Sequence, residues 1–248
     1  MLLSELCRYL DQLLCVAQFK DYAPNGLQVE GRGEVLRLVT GVSASLSLIE
    51  AAVARGADAI LVHHGYFWRG EAAVITGVKK RRLQQLLRHD MSLLAYHLPL
   101  DAHPELGNNA QLGRRWQLEP VSYCGEGDLV AVAQLPEPVS LSSLASRIGH
   151  DLGRAVQVLL GDGRGVQRVA WCSGGAQSYF QAAIEAGADC FISGEVSEPC
   201  FYLAQESGVA YLAAGHHATE RYGVQAVGER LSQQFDLTVQ FVDSDNPV

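Results

Sequence analysis

No stretch of the 248 residues approaches the roughly 18 to 20 consecutive apolar residues that a membrane span needs. Nor does the N-terminus read as an export signal. Leu2, Leu3, Leu6, Leu10, Leu13 and Leu14 follow helical spacing, Glu5 stands where a basic region belongs, and no small-residue cleavage site follows. The six cysteines (Cys7, Cys15, Cys124, Cys172, Cys190 and Cys200) form no C-x-x-C pair, which excludes a zinc ribbon and a thioredoxin-type motif. Without an export signal they are expected to be reduced, mostly buried thiols of a cytoplasmic protein. Positive charge is also short: 19 Lys and Arg against 27 Asp and Glu give a net −8, which argues against a general nucleic-acid binder but not against a local basic patch. With 48% apolar and 19% charged residues the chain is no disordered segment, and its length suits one large or two modest domains.

The chain does hold a repeat. Residues 37–65, RLVTGVSASLSLIEAAVARGADAILVHHG, lie over 168–196, RVAWCSGGAQSYFQAAIEAGADCFISGEV, without a gap and with seven of 29 positions identical. The identities include Gly56/Gly187, Ala57/Ala188 and Asp58/Asp189. Each block reads as strand, small-residue turn, helix, Gly-Ala-Asp stop and second apolar strand, a βαβ unit with parallel strands. Residues 91–101, MSLLAYHLPLD, lie over 210–220, AYLAAGHHATE, so the offset falls from 131 to 119 and the first half carries 12 extra residues, placed at 66–77.

The spacing predicts helix 2–18, strands 27–30 and 35–42, helix 45–55, strand 58–63, helix 78–89, strand 92–96 and helix 107–116 in the first half. In the second it predicts helix 141–152, strands 155–160 and 166–171, helix 177–186, strand 189–193, helix 197–206, strand 209–214, helix 219–234 and a closing strand near 237–242. Pro120, Pro136, Pro138 and seven glycines in 120–165 place the boundary near 120–139. The expected fold class is α/β, two lobes from one duplicated unit. The first, 1–125, carries His63, His64, His97 and Asp101; the second, 126–248, carries His216 and Glu220.

Ligands of parallel α/β sheets gather outside the carboxyl ends of the strands. His63 and His64 stand at one such end, His97 and Asp101 follow another as His-x3-Asp, and His216, His217 and Glu220 follow a third. His-x3-carboxylate thus recurs at equivalent places in both halves. Three imidazoles (His63, His64, His216) and two carboxylates (Asp101, Glu220) exceed one tetrahedral zinc and suit two divalent ions bridged by a carboxylate and a water. Two ions, two carboxylates and a bridging hydroxide leave a charge of +1, which favours an anionic substrate. Zinc, iron, manganese and nickel all accept such ligands.

His97 reads as a ligand, an orienter of Asp101 or a general acid/base, the last two being favoured. His217 reads as structural, and His89, His103 and His150 carry no site signal. Glu195 occupies the second half's equivalent of the paired histidines, and is a candidate for moving protons. Tyr66, Phe67 and Trp68 open the extra loop as either a hydrophobic plug over a sheet end or a stacking platform for a substrate ring. Lys79, Lys80, Arg81 and Arg82 form a solvated helix face or attract phosphate. Asn25-Gly26 reads as a turn, and Gly174-Gly175 is too short for a phosphate fingerprint.

Taken together, DYAPNGLQVEG (21–31), GADAILVHHGYFW (56–68), HLPLDAHPELGNNAQL (97–112) and GHHATE (215–220) resemble the family of GTP cyclohydrolase 1 type 2 homologues, in its YbgI-type, single-module form. The resemblance spans nearly the whole chain. It implies two intertwined α/β repeats with mixed sheets, a toroidal homohexamer, and two metal ions per subunit on His63, His64, Asp101, His216 and Glu220, with His97 beside them. It also implies a cyclohydrolase-like activity and a role in handling damaged nucleotides. The expected function is therefore a metal-dependent hydrolase acting on a nucleotide or similar phosphorylated ring. His97 or Glu195 would move protons, and Tyr66 and Trp68 would contact the substrate. A non-catalytic ring that binds metal, DNA or protein is the alternative, and the −8 charge disfavours DNA.

Overall fold

The computed structural model describes residues 1–248. In chain order the elements are α1 (Leu3–Leu13), β1 (Gly26–Val29), β2 (Arg37–Ser43), α2 (Leu46–Ala54), β3 (Ala59–His64), α3 (Gly77–Arg88), β4 (Ser92–Ala95), α4 (Leu98–Ala102) and α5 (Asn108–Trp116). There follow β5 (Pro120–Cys124), β6 (Val130–Val139), α6 (Leu141–Leu152), β7 (Gln157–Leu159), β8 (Val166–Cys172), α7 (Phe180–Glu185), β9 (Cys190–Ser193), α8 (Glu198–Ser207), β10 (Ala210–Ala213), α9 (His216–Thr219), α10 (Arg221–Gln234) and β11 (Thr238–Phe241). No helix is long and apolar enough to cross a membrane.

The chain divides into two compact units: Met1–Leu106 with Gly223–Asp245, and Gly107–Tyr222 with Asn246–Val248. They are drawn differently from the sequence halves 1–125 and 126–248. The reason is β11, which pairs in parallel with β2 and so carries the C-terminal segment into the first unit's sheet.

Unit 1 holds a five-stranded mixed sheet of order β1-β4-β3-β2-β11, antiparallel only at β1–β4. Alternate residues of its strands face opposite sides, as the two-residue period requires. Leu38, Leu61 and Leu94 pack under α1 and α10 with Leu6, Leu10, Val227 and Leu231. Val39, Ile60, Val62 and Leu93 pack under α2 and α3 with Ile49, Ala52 and Leu86. Burial on both faces explains why these strands read as continuous apolar runs. Ser45 caps α2, its Oγ accepting from the Leu48 N–H at 3.2 Å.

Unit 2 holds a six-stranded mixed sheet of order β5-β6-β8-β9-β10-β7, with β8, β9 and β10 parallel. Trp116, Ile148, Val169, Trp171 and Leu212 fill one face. On the other, the Phe180 ring stacks on Phe191 at 5.9 Å and meets Tyr211 edge-on at 4.9 Å. The run β7-β10-β9-β8 repeats β1-β4-β3-β2 of unit 1. The sheets diverge beyond it, where unit 1 adds a parallel β11 and unit 2 an antiparallel β6. Two α/β units are what the duplication predicted, and mixed sheets are what the family resemblance implied.

The Gly-Ala-Asp stop has a physical role in both units. Asp58 accepts from the Leu36 and Arg37 N–H groups at 2.9 Å each. Asp189 accepts from Gln167 and Arg168 at 3.0 and 2.8 Å. Each carboxylate ties the entry of one central strand to the start of its parallel neighbour.

Three expectations are corrected. The stretch 120–139 is not a bare linker but carries β5 and β6. Its prolines 136 and 138 fall where the β6–β8 register breaks between Gln134 and Val139, so no ladder hydrogen bond is asked of them. Helix 2–18 ends at Leu13, because Cys15 adopts a left-handed φ of 51° before a short turn at Val16–Gln18. Helix 219–234 starts at Arg221 as α10, because Thr219 ends the short α9 and Glu220, with a φ of −111°, separates the two.

Candidate metal centre

Unit 1 brings four of the expected residues together at the carboxyl ends of β3 and β4. His63 is fully buried, its Nδ1 3.0 Å from the Tyr96 carbonyl. His64 turns Nδ1 to Ser43 Oγ at 3.2 Å, and the two rings lie 4.5 Å apart. The His97 ring stands 5.1 Å from His63 and 5.7 Å from His64, and one ligand nitrogen from each of the three lies within 4.8 Å of the others. Asp101 follows on α4, with Oδ1 3.6 Å from His63 Nε2. Gly65 has no room for a side chain: a Cβ there would stand 2.2 Å from Gln28 Oε1 and 2.6 Å from Ala95 Cβ. The glycine of HHG is thus a packing requirement.

Unit 2 places His216 at the start of α9 and Glu220 one turn later. His216 Nε2 lies 3.1 Å from Glu220 Oε1, and its Nδ1 lies 2.7 Å from Glu195 Oε1. Glu195 in turn accepts from Gln177 Nε2 at 3.1 Å. Burial pushes the His216 pKa down, but the Glu220 and Glu195 carboxylates on either side outweigh it and raise it to about 9. Glu195 therefore orients His216. Gly174, at φ +67°, lies against the same group: a Cβ there would fall 2.0 Å from Glu220 Oε1. The Gly174 N–H donates to Thr219 Oγ1 at 2.9 Å. This glycine pair makes room for a carboxylate instead of cradling a phosphate.

The donor set suits a divalent metal. A carbonyl or carboxylate at Nδ1 has no proton to give, so the proton resides on Nδ1 and the Nε2 lone pair is left to bind an ion. The Tyr96 carbonyl does this for His63; Glu195 fixes the Nδ1 proton of His216, whose Nε2 faces Glu220 at 3.1 Å. Two carboxylates around His216 hold a proton tightly, and a metal ion competes for that place.

The extra loop lies between β3 and α3 and splits its aromatic residues. Tyr66 is buried, 4% exposed, and its hydroxyl donates to the Ala44 carbonyl at 2.7 Å, so its ring packs in the core. Trp68 stands beside the histidines, 5.9 Å from His64 and edge-on to His97 at 5.0 Å. Phe67 lies outside them, with Lys79 over its ring at 5.1 Å. Lys79 also pairs with Glu71 at 3.2 Å, so this member of the basic run pins the loop. His103 Nδ1 accepts two backbone N–H groups in its own turn, and the His217 N–H donates to the Val248 carbonyl.

The match to known proteins follows this geometry. The family model for Duf34/NIF3 (NGG1p interacting factor 3) matches residues 1–247. The chain belongs to the DUF34/NIF3 family. Curated relatives named GTP cyclohydrolase 1 type 2 homolog include one from Pseudomonas aeruginosa, 49% identical over 99% of this chain and 98% of the relative. Another, from Yersinia pestis, is 52% identical over 98% of both. The solved structure of protein ybgI superposes with a TM-score of 0.96 at 49% identity, covering all of both chains.

Two further residues of this DUF34/NIF3 chain belong to the site, Asp21, given no role by the sequence pattern, and Asn25, which reads only as part of a turn. The Asp21 carboxylate accepts from His97 Nδ1 at 2.7 Å, Asn25 Nδ2 at 2.9 Å and the Leu98 N–H at 2.9 Å. Burial pushes its pKa up, but the His97 and Asn25 hydrogen bonds outweigh that and hold it at about 2. Asn25 Oδ1 accepts from the His97 N–H at 2.7 Å. The one available signal was the DYAPNGLQVEG motif itself, whose Asn-Gly read as a turn.

Proposed function

We propose that this protein is a metal-dependent hydrolase carrying two divalent ions per chain on His63, His64, Asp101, His216 and Glu220, and acting on a nucleotide or related phosphorylated ring. The observation that carries the reading is the grouping of His, Asp and Glu ligand atoms within 4.8 Å of one another, with the Nδ1 atoms of His63 and His216 turned to the Tyr96 carbonyl and the Glu195 carboxylate. Such ions, when bound, lower the pKa of water and polarise the group under attack. The chain's own residues supply the rest. His97, beside the ligands, accepts or returns a proton at Nε2, while Glu195 keeps His216 in its ligating tautomer. Trp68 places an aromatic ring next to His64 and His97, which supports a ring-bearing substrate. The name shared by the curated relatives supports a nucleotide of the GTP type.

A screen of the metal-replete protein against normal and damaged nucleotides tests the reading, with Asp101→Ala as the blank. Turnover by the parent and none by the blank is expected; intact binding without turnover of any nucleotide would favour a binding ring instead. Assembly belongs to the same proposal. Light scattering should give six times the 26.8 kDa chain mass, and a monomer would refute the hexamer.

A further inference from the structure

The two His-x3-carboxylate motifs are equivalent in sequence but wired differently. In unit 2, His216 turns Nε2 to the carboxylate four residues on, Glu220, at 3.1 Å. In unit 1 the equivalent Asp101 stands by His63 at 3.6 Å, and His97 binds a carboxylate 76 residues upstream, Asp21, at 2.7 Å. That upstream segment holds the whole residue. Asn25 accepts the His97 N–H, Asp21 Oδ2 accepts the Leu98 N–H, and Asn25 Nδ2 braces Asp21. The Asp21 side chain is only 3% exposed, so these bonds are shielded from competing water. The edge of Trp68, 5.0 Å away at 85°, restrains the imidazole further. The segment lies before β1, outside both ungapped repeated blocks.

A histidine that is only a ligand needs one oriented nitrogen. His97 has its backbone, its ring and its neighbour's backbone fixed to a single carboxylate–amide pair, while its own i+4 carboxylate stands by another imidazole. We propose that Asp21 is a positioning residue that locks His97 in the Nδ1–H tautomer, with Nε2 turned toward His63 and His64 as a base for the substrate and not as a metal ligand. This inference rests on the metal reading of His63 and His64.

The test reads the tautomer directly. The full-length protein, with its histidines labelled with nitrogen-15 and loaded with zinc, is examined by magic-angle-spinning NMR, and a His97→Gln variant assigns the signal. The expected spectrum has His97 protonated at Nδ1 with a bare Nε2, while the His63, His64 and His216 signals move on adding zinc. Asp21→Asn should keep the parent's zinc count and unfolding temperature within a few degrees but give a second His97 population protonated at Nε2, and Asp21→Glu should remove that population. A zinc-dependent shift of His97 Nε2 like those of the ligands would overturn the proposal, as would zinc loss or an unchanged tautomer in Asp21→Asn. Should Asp21→Asn fail to fold, the parent's own His97 signal decides: Nε2 protonated or zinc-shifted, the proposal fails. If instead the parent binds no zinc, the metal reading is what fails, and the His97 tautomer in the metal-free protein still decides the role of Asp21.

Discussion

Asp101 and Glu220 are both nearly buried, 8% and 3% exposed, and each lies against an imidazole Nε2. Both carboxylates belong to the groups whose ligand atoms lie within 4.8 Å of one another, so each is expected to be indispensable to metal. Elemental analysis should find metal stripped from Asp101→Ala and Glu220→Ala, while His97→Ala keeps the parent's content. Equal loss in all three would make His97 a ligand. Trp68 belongs to the same scale. Its indole N–H is spent locally on the Gly65 carbonyl at 3.2 Å, so what it offers a ligand is the ring. Trp68→Ala should leave metal bound but weaken a ring-bearing ligand by about 1–3 kcal/mol in titration calorimetry. Unchanged binding with a lower unfolding temperature would reduce it to a plug, the role that burial already gives Tyr66.

At the scale of elements, the Gly-Ala-Asp stops make a test of the duplication. Asp58 and Asp189 each accept two backbone N–H groups at the entry of a central strand, and alanine would leave those donors without the carboxylate. Denaturant unfolding of Asp189→Ala or Asp58→Ala should show a loss of about 1–3 kcal/mol with the metal content unchanged. These stops were legible in the sequence because the duplication kept them identical, and the βαβ order followed. The His, Asp and Glu clusters that could hold a metal ion were legible because their residues follow apolar runs, which is where strand ends lie. Asp21 and Asn25 were not, since a hydrogen bond across 76 or 72 residues leaves no periodic trace. Nor were β5 and β6, because Pro136 and Pro138 look like linker residues until the register break that accommodates them is seen. Glu195 was found by its place in the repeat, but only geometry shows that it holds His216.

For the molecule as a whole, the ligand residues come from segments with little regular structure to fix them: the end of β3, the short α4 and the short α9. Helices of five and four residues are not stable on their own, and in α9 two carboxylates crowd one imidazole. Ions bound as proposed would neutralise that charge and would bind only the folded chain, so binding and folding would be linked. Because the unfolded chain has no preformed site, saturating metal should raise stability by about 2.7 kcal/mol when free ion stands at 100 times the dissociation constant. Scanning calorimetry should therefore show the unfolding temperature falling on treatment with a chelator and recovering when divalent metal is added back. Asp101→Ala should respond far less to either treatment, which separates specific binding from a general effect of divalent ions on an acidic protein. A parent protein whose unfolding temperature ignores both chelator and metal would show that these side chains hold no ion that matters to the fold, and the −8 net charge would then be the only electrostatic term the ions could act upon.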